Sequence, residues 1–163
     1  MKIAIISDSH DNILNIDEML KIIKAEGVEN IIHCGDISAP SVVEYLSKNF
    51  SGNIYITQGN VDGNHAEKIK KDNLKNITFF SDTGEAELDS KKIAFVHYPN
   101  KAKELTKSGK YDLVFYGHNH TPWEESIGNT KLANPGTLAG LFAKPTFAFY
   151  DTESDKLELK LLY

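Results

Sequence analysis

Lys2-Ile3-Ala4-Ile5-Ile6-Ser7-Asp8-Ser9-His10 is an apolar run that stops abruptly at an acid and a histidine. The run is too short for a buried helix and rich in isoleucine, so Lys2–Ser7 reads as a buried strand. Downstream, Leu14, Met19, Leu20, Ile22 and Ile23 share a helical stripe from Leu14 to Lys24. Asp11 or Asn12 supplies the N-cap and Gly27 the stop. Asn30–Cys34 is a second strand. Ser38-Ala39-Pro40 opens a second helix through Asn49, with the serine as cap and the proline in the first turn. Ile54–Gln58 is the third strand, and two successive βαβ crossovers imply a parallel sheet with right-handed connections.

Beyond Ile77 the pattern changes to short apolar runs joined mostly by turns. Strands are expected at Ile77–Phe80, Glu85–Leu88, Lys92–Tyr98, Leu113–Gly117, Trp123–Ile127, Lys131–Ala133, Thr146–Tyr150 and Leu157–Leu161, with one helix near Lys101–Lys107. The second half is strand-rich, which predicts a two-sheet core flanked by helices. No Pro/Gly/Ser-rich linker, charge block or internal repeat interrupts the sequence, so residues 1–163 read as a single domain.

Composition narrows the function. With 40% hydrophobic and 25% charged residues, the chain has the balance of a globular protein rather than a disordered one. Its one cysteine, Cys34, permits no intramolecular disulfide and no cysteine-rich zinc module, which points to the reducing cytoplasm. No stretch reaches the roughly 20 apolar residues of a membrane span, and the first strand meets Asp8 and His10 too early for a signal peptide. Net charge is −5 and all 18 basic residues are lysine. Without arginine forks, and with an acidic balance, the chain is not built for duplex DNA.

Polar groups follow five of the expected strands: Asp8-Ser9-His10, Gly35-Asp36, Gly59-Asn60-Val61-Asp62, His97, and Gly117-His118-Asn119-His120. In open α/β sheets the carboxyl ends of strands form the ligand crevice. Two carboxylates, four imidazoles and one carboxamide make a mixed O/N donor set suited to Mn, Fe, Co, Ni or Zn rather than Mg or Ca. Seven donors exceed one tetrahedral ion and match two divalent ions if a carboxylate bridges them; Asp36, in the turn after Gly35, is the expected bridge. Two such ions less Asp8, Asp36 and a bridging hydroxide leave about +1, a match for a monoanionic phosphodiester attacked in line by that hydroxide.

The ordered motifs D-x-H, GD, GN, H and GH-x-H resemble the calcineurin-like metallophosphoesterases. The short chain, Gly59-Asn60-Val61-Asp62 and Asn134-Pro135-Gly136-Thr137 look most like the family's small prokaryotic phosphodiesterases. The resemblance implies a four-layer α/β/β/α sandwich with two mixed sheets. It assigns Asp8, His10, Asp36 and His120 to one metal, most simply Mn or Ni, and Asp36, Asn60, His97 and His118 to the other. Asp36, Asn60 and His97 are its catalytic candidates. Many relatives carry a histidine directly after GN to protonate the departing oxygen, and here that residue is Val61. A general acid contributes typically 10²–10⁴ in rate, so its absence favours good leaving groups; Asp62 and His65 are the nearby candidates, neither expected to replace it fully.

Asp62, His65 and Asn134 are the candidate substrate contacts, the last as part of a loop lining the crevice near His120. Asn12 is a candidate for orienting a ligand. His33 and Cys34 read as structural, and Lys68, Lys70 and Lys71 as a solvated face. A flavodoxin-like nucleotide binder would need a phosphate-cradling glycine loop where Asp8-Ser9-His10-Asp11-Asn12 stands. The competing functions are a phosphomonoesterase on the same site and a non-catalytic scaffold like the similar retromer coat subunit. The partner expected is a small phosphodiester, acted on by a monomer or small homo-oligomer.

Overall fold

The computed structural model describes residues 1–63 and 65–163. Elements follow in the order β1 (Lys2–Ile6), α1 (Ile13–Ala25), β2 (Asn30–His33), α2 (Pro40–Asn49), β3 (Asn53–Thr57), α3 (Ala66–Lys71), β4 (Ile77–Phe80) and β5 (Gly84–Leu88). They continue with β6 (Lys91–Phe95), α4 (Pro99–Lys107), β7 (Leu113–Phe115), β8 (Trp123–Ile127), β9 (Thr130–Asn134), β10 (Thr146–Asp151) and β11 (Lys156–Leu161). A six-stranded sheet has the order β11-β10-β1-β2-β3-β4, and a five-stranded sheet the order β5-β6-β7-β9-β8. Both are mixed: β1 to β4 run parallel, as do β6, β7 and β9, while β10, β11, β5 and β8 pair antiparallel with their neighbours.

The two-residue period of each strand distributes the core into layers. On β1, Ala4 and Ile6 face a cluster with Ile16, Met19 and Ile23 of α1, Val42 and Leu46 of α2, and Ile69 of α3. Ile3 and Ile5 point the other way and meet Phe95, Phe115 and Ala133 of the second sheet. Ala94, Val96 and Val114 then face Ala102 of α4. The result is the α/β/β/α sandwich. Each fully buried isoleucine stabilises it by about 1.5–3 kcal/mol, and alternation along one strand ties two layers together.

Two local expectations are corrected. Ser38 does not cap α2: the N-cap is Ala39 without a side-chain bond, Pro40 supplies the first-turn φ, and Ser38 instead adopts φ +82°. Helix α3 was not expected; its six residues bury only Ala66 and Ile69, too few to show a period. Asn12 caps α1, accepting from the Asn15 amide at 3.2 Å while its own amide donates to Ala139 O at 3.0 Å, so it holds two segments together rather than facing a ligand.

Candidate metal centre

Strand register delivers the donors side by side. Ile6, His33 and Ile56 lie opposite one another across β1, β2 and β3, so the chain leaves three neighbouring strands into Asp8, Asp36 and Asn60. Phe95 pairs with Phe115, which places His97 and His118 at the matching edge of the other sheet. The loops continue the pairing: Asp8 N donates to Gly35 O, His10 N to Asp36 O, and Gly117 N to His97 O. Two bonds cross between sheets, from His97 Nδ1 to Cys34 O at 2.9 Å and from His118 N to Asp8 Oδ2 at 3.1 Å.

The backbone is held in costly conformations here. Asp8, His10, Asp36, His118 and His120 have φ of 52°, 41°, 59°, 75° and 55°, a left-handed region where each such residue costs on the order of 1–3 kcal/mol unless its surroundings impose it. Close approach explains the motif glycines. A Cβ on Gly59 would stand 2.1 Å from Asp36 Oδ1, and one on Gly117 would stand 1.9 Å from Ser7 Oγ.

All seven expected donors are brought together. His120 Nε2 lies 3.3 Å from Asp8 Oδ1, and Asp36 Oδ2 lies 3.8 Å from His10 Nε2 and 3.4 Å from His97 Nε2. His97 Nε2 is 2.9 Å from Asn60 Oδ1 and 3.2 Å from His118 Nδ1, and Asn60 Oδ1 is 3.0 Å from His118 Nδ1. Asp8, His10 and His120 form one group of convergent donor atoms, and Asp8, Asp36 and His97 a second.

The protonation pattern fits cations. His97 spends its Nδ1 proton on Cys34 O, and His120 Nδ1 faces Leu141 O at 3.3 Å. Each ring thereby directs its Nε2 at a carboxylate oxygen, Asp36 Oδ2 for His97 and Asp8 Oδ1 for His120. Asp8 Oδ1 and His10 Nε2 are buried without a hydrogen-bond partner among the described residues. Burial pushes the Asp8 carboxyl above the usual carboxylate range. Burial also raises that of Asp36, but its contacts with His97, the Val61 amide and His10 outweigh this and hold it below. Burial lowers the His97 imidazole, and Asp36 more than restores it, giving a net upward shift. Divalent cations would satisfy the orphaned atoms and the crowded lone pairs together.

Two of the three expected substrate contacts, Asp62 and Asn134, are spent on the protein's own groups. Asp62 is 1% exposed: Oδ1 accepts from the amides of Ile37 and Ser38 at 2.9 and 2.8 Å, and Oδ2 from those of Asp36 and Gly59 at 2.9 and 2.8 Å. It holds the Asp36 and Asn60 turns against each other and has no oxygen to offer substrate. Asn134 is likewise buried, donating to Gly117 O and Asn119 Oδ1 and accepting from Gly136 N, so it positions the His118 turn. His65 is exposed at the start of α3, and its amide donates to Asp62 O. Tyr98 escaped the sequence reading. Its ring lies 5.1 Å from those of both His97 and His118, and its only sequence signal is adjacency to His97.

His33 and Cys34 lie beneath the centre. Gly35 N donates to His33 Nδ1 at 3.2 Å, leaving Nε2–H for Ser9 Oγ at 3.0 Å. Complete burial lowers the His33 pKa from 6.5 to about 3 and pushes the Cys34 thiol well up. An unfolded chain takes a proton on this histidine near pH 6.5, whereas the folded one stays neutral. Its contribution to stability is therefore complete above that pH and is lost as pH falls towards 3, at up to about 1.4 kcal/mol per unit. Between pH 7 and 5, metal-free protein should lose about 2 kcal/mol more of its urea-unfolding free energy than His33→Gln does. Equal losses would mean that folded His33 accepts the proton.

An α/β/β/α sandwich carrying acids, an amide and imidazoles on the ends of its parallel strands defines a metallophosphoesterase. The chain belongs to the calcineurin-like phosphoesterase superfamily, whose domain model matches residues 1–155. It is 38% identical over 159 residues to Phosphodiesterase MJ0936 of Methanocaldococcus jannaschii, covering 94% of each chain. A solved archaeal phosphodiesterase superposes with a TM-score of 0.88 at 34% identity over 99% of both chains. Vacuolar protein sorting 29 of Cryptosporidium parvum shares the fold, with a TM-score of 0.69 at 19% identity over 98% of this chain and 95% of that one. No helix among the described residues is long and apolar enough to cross a membrane.

Proposed function

We propose that the protein hydrolyses phosphodiesters with two divalent transition-metal ions, Mn or Ni by preference. Asp8, His10, Asp36 and His120 would hold one ion, and Asp36, Asn60, His97 and His118 the other. Bound there, the ions would supply Lewis-acid charge and acidify a water near neutral pH. Asp36 Oδ2 faces both His10 and His97, which supports it as the shared ligand. His97, 1% exposed, is locked by Cys34 O, while Asn60 and His118 are more open and form the side that substrate reaches. Asp62 and Asn134 hold the turns that carry these groups.

The observation that carries this reading is the convergence of donor atoms from Asp8, His10 and His120 and from Asp8, Asp36 and His97, with Asp8 Oδ1 and His10 Nε2 left without a hydrogen-bond partner among the described residues. The 38% identity to a named phosphodiesterase supports the diester as substrate. A scaffold role like that of the retromer subunit would tolerate loss of ligands, and here every position is filled. Val61 follows Asn60 and Asp62 is saturated, so that turn offers no proton to a leaving oxygen; aryl diesters, whose leaving groups depart unprotonated, are the suitable probes. We place the protein in the cytoplasm from its cysteine usage, acting as one domain, as a monomer or small homo-oligomer.

The test removes metal with a chelator and assays a bis-aryl phosphodiester and the matching monoester with Mn, Ni, Co, Zn or Mg restored. Metal-free protein should be inert, Mn or Ni should restore turnover, and the diester should be preferred. Turnover without metal would defeat the proposal, and a monoester preference would move it to the phosphomonoesterase alternative.

A further inference from the structure

A cavity of about 300 Å³ opens beside the metal centre and shares Asn60 and His97 with it. That size is at the small end for ligand pockets, so it suits one arm of a diester rather than a whole dinucleotide. Gln58 brings a carboxamide to its wall. Ser81 Oγ accepts from Lys70 at 2.6 Å, which leaves the hydroxyl proton free to donate. Lys101 and Asp82 face each other at 3.8 Å, so this pair adds no net charge. The ring of Tyr98 packs T-shaped against those of His97 and His118, and the residue is 46% exposed and lines the cavity.

A lining of this kind discriminates by chemistry. An acyl chain would desolvate Gln58, Ser81 and the Lys101–Asp82 pair without replacing their hydrogen bonds. A second phosphate would find no net positive charge in the Lys101–Asp82 pair. A flat neutral group with several donors and acceptors satisfies the polar wall and stacks on the aromatic ring. We propose that this cavity is a subsite for a nucleoside, stacked on Tyr98 and hydrogen-bonded by Gln58. Its role as the seat of one diester arm rests on the hydrolase reading above; its capacity to bind a nucleoside does not.

Titration of ¹⁵N-labelled protein with adenosine, ribose or glycerol separates a base from a bare polyol. Adenosine should shift the amides of Gln58, Tyr98 and Lys101, and ribose and glycerol should not at the same concentration. Tyr98→Ala should weaken adenosine by roughly tenfold, within the range of one base stacked on an aromatic side chain, and Tyr98→Phe should retain it. Gln58→Leu provides a second variant, expected to weaken adenosine with the fold intact. In Mn-loaded protein, the kcat/KM ratio of thymidine 5′-p-nitrophenyl phosphate to methyl p-nitrophenyl phosphate should fall by a similar factor in Tyr98→Ala. Absent adenosine shifts, equal shifts from ribose, or unchanged adenosine binding in both Tyr98→Ala and Gln58→Leu would overturn the subsite. Adenosine binding without turnover of any diester would overturn the hydrolase and leave the subsite standing.

Discussion

His97→Ala should reduce Mn-dependent diester turnover by at least about 10²–10³-fold, the scale set by losing one preorganised stabiliser of transition-state charge. The imidazole makes three contacts that no neighbour can take over: its Nδ1 proton goes to Cys34 O, and its Nε2 meets Asp36 Oδ2 and Asn60 Oδ1. Removing it also leaves the shared Asp36 and two more exposed groups, Asn60 and His118, as the remaining donors to the proposed second ion. Metal analysis of the purified variant should therefore count one Mn per chain where the parent holds two. Cys34→Ala serves as the control, because that side chain faces the core between the sheets and should leave both ions in place. Wild-type turnover in His97→Ala would refute the assignment of this residue.

Asp62→Ala should be the most destabilising of the substitutions considered, by about 3–5 kcal/mol, because four backbone amides, three of them in buried bonds, lose their acceptor together. The same amides shape the turns that present Asp36 and Asn60. Mn affinity should therefore fall along with the urea-unfolding free energy, although Asp62 is not among the proposed ligands. Asp62→Asn keeps one oxygen and turns an NH₂ group towards two donors, so it should lie between the parent and the alanine variant on both measures. If Asp62→Ala unfolds at the parent's urea concentration and binds Mn as tightly, the positioning role is wrong.

Much of the architecture was legible because it depends on near neighbours in the chain. Ile3, Ala4, Ile5 and Ile6 announce a strand buried on both faces, and the stripe from Leu14 to Lys24 announces the helix that covers one of them. The donor set was legible for a related reason: Asp8, Asp36, Asn60, His97 and His118 each follow a strand, and parallel strands present their ends at one edge. Helix α3 was not legible, since Ile69 is the one large apolar residue its six positions bury. Tyr98 reads in the sequence as the end of the strand Lys92–Tyr98, and only the fold, which ends β6 at Phe95, sets its ring against two histidines.

Composition and spacing were enough to determine the layered sheets and the seven polar groups at their carboxyl edge. Only the tertiary structure decided that Asp62 and Asn134 are braces and not substrate contacts, and that Asp36 stands between His10 and His97. The physical reason is that a brace of this kind binds backbone amides and carbonyls, which every residue possesses. No side-chain pattern marks the amides of Asp36, Ile37, Ser38 and Gly59 as partners of one carboxylate. That relation exists once β2 and β3 lie in register and bring their turns together.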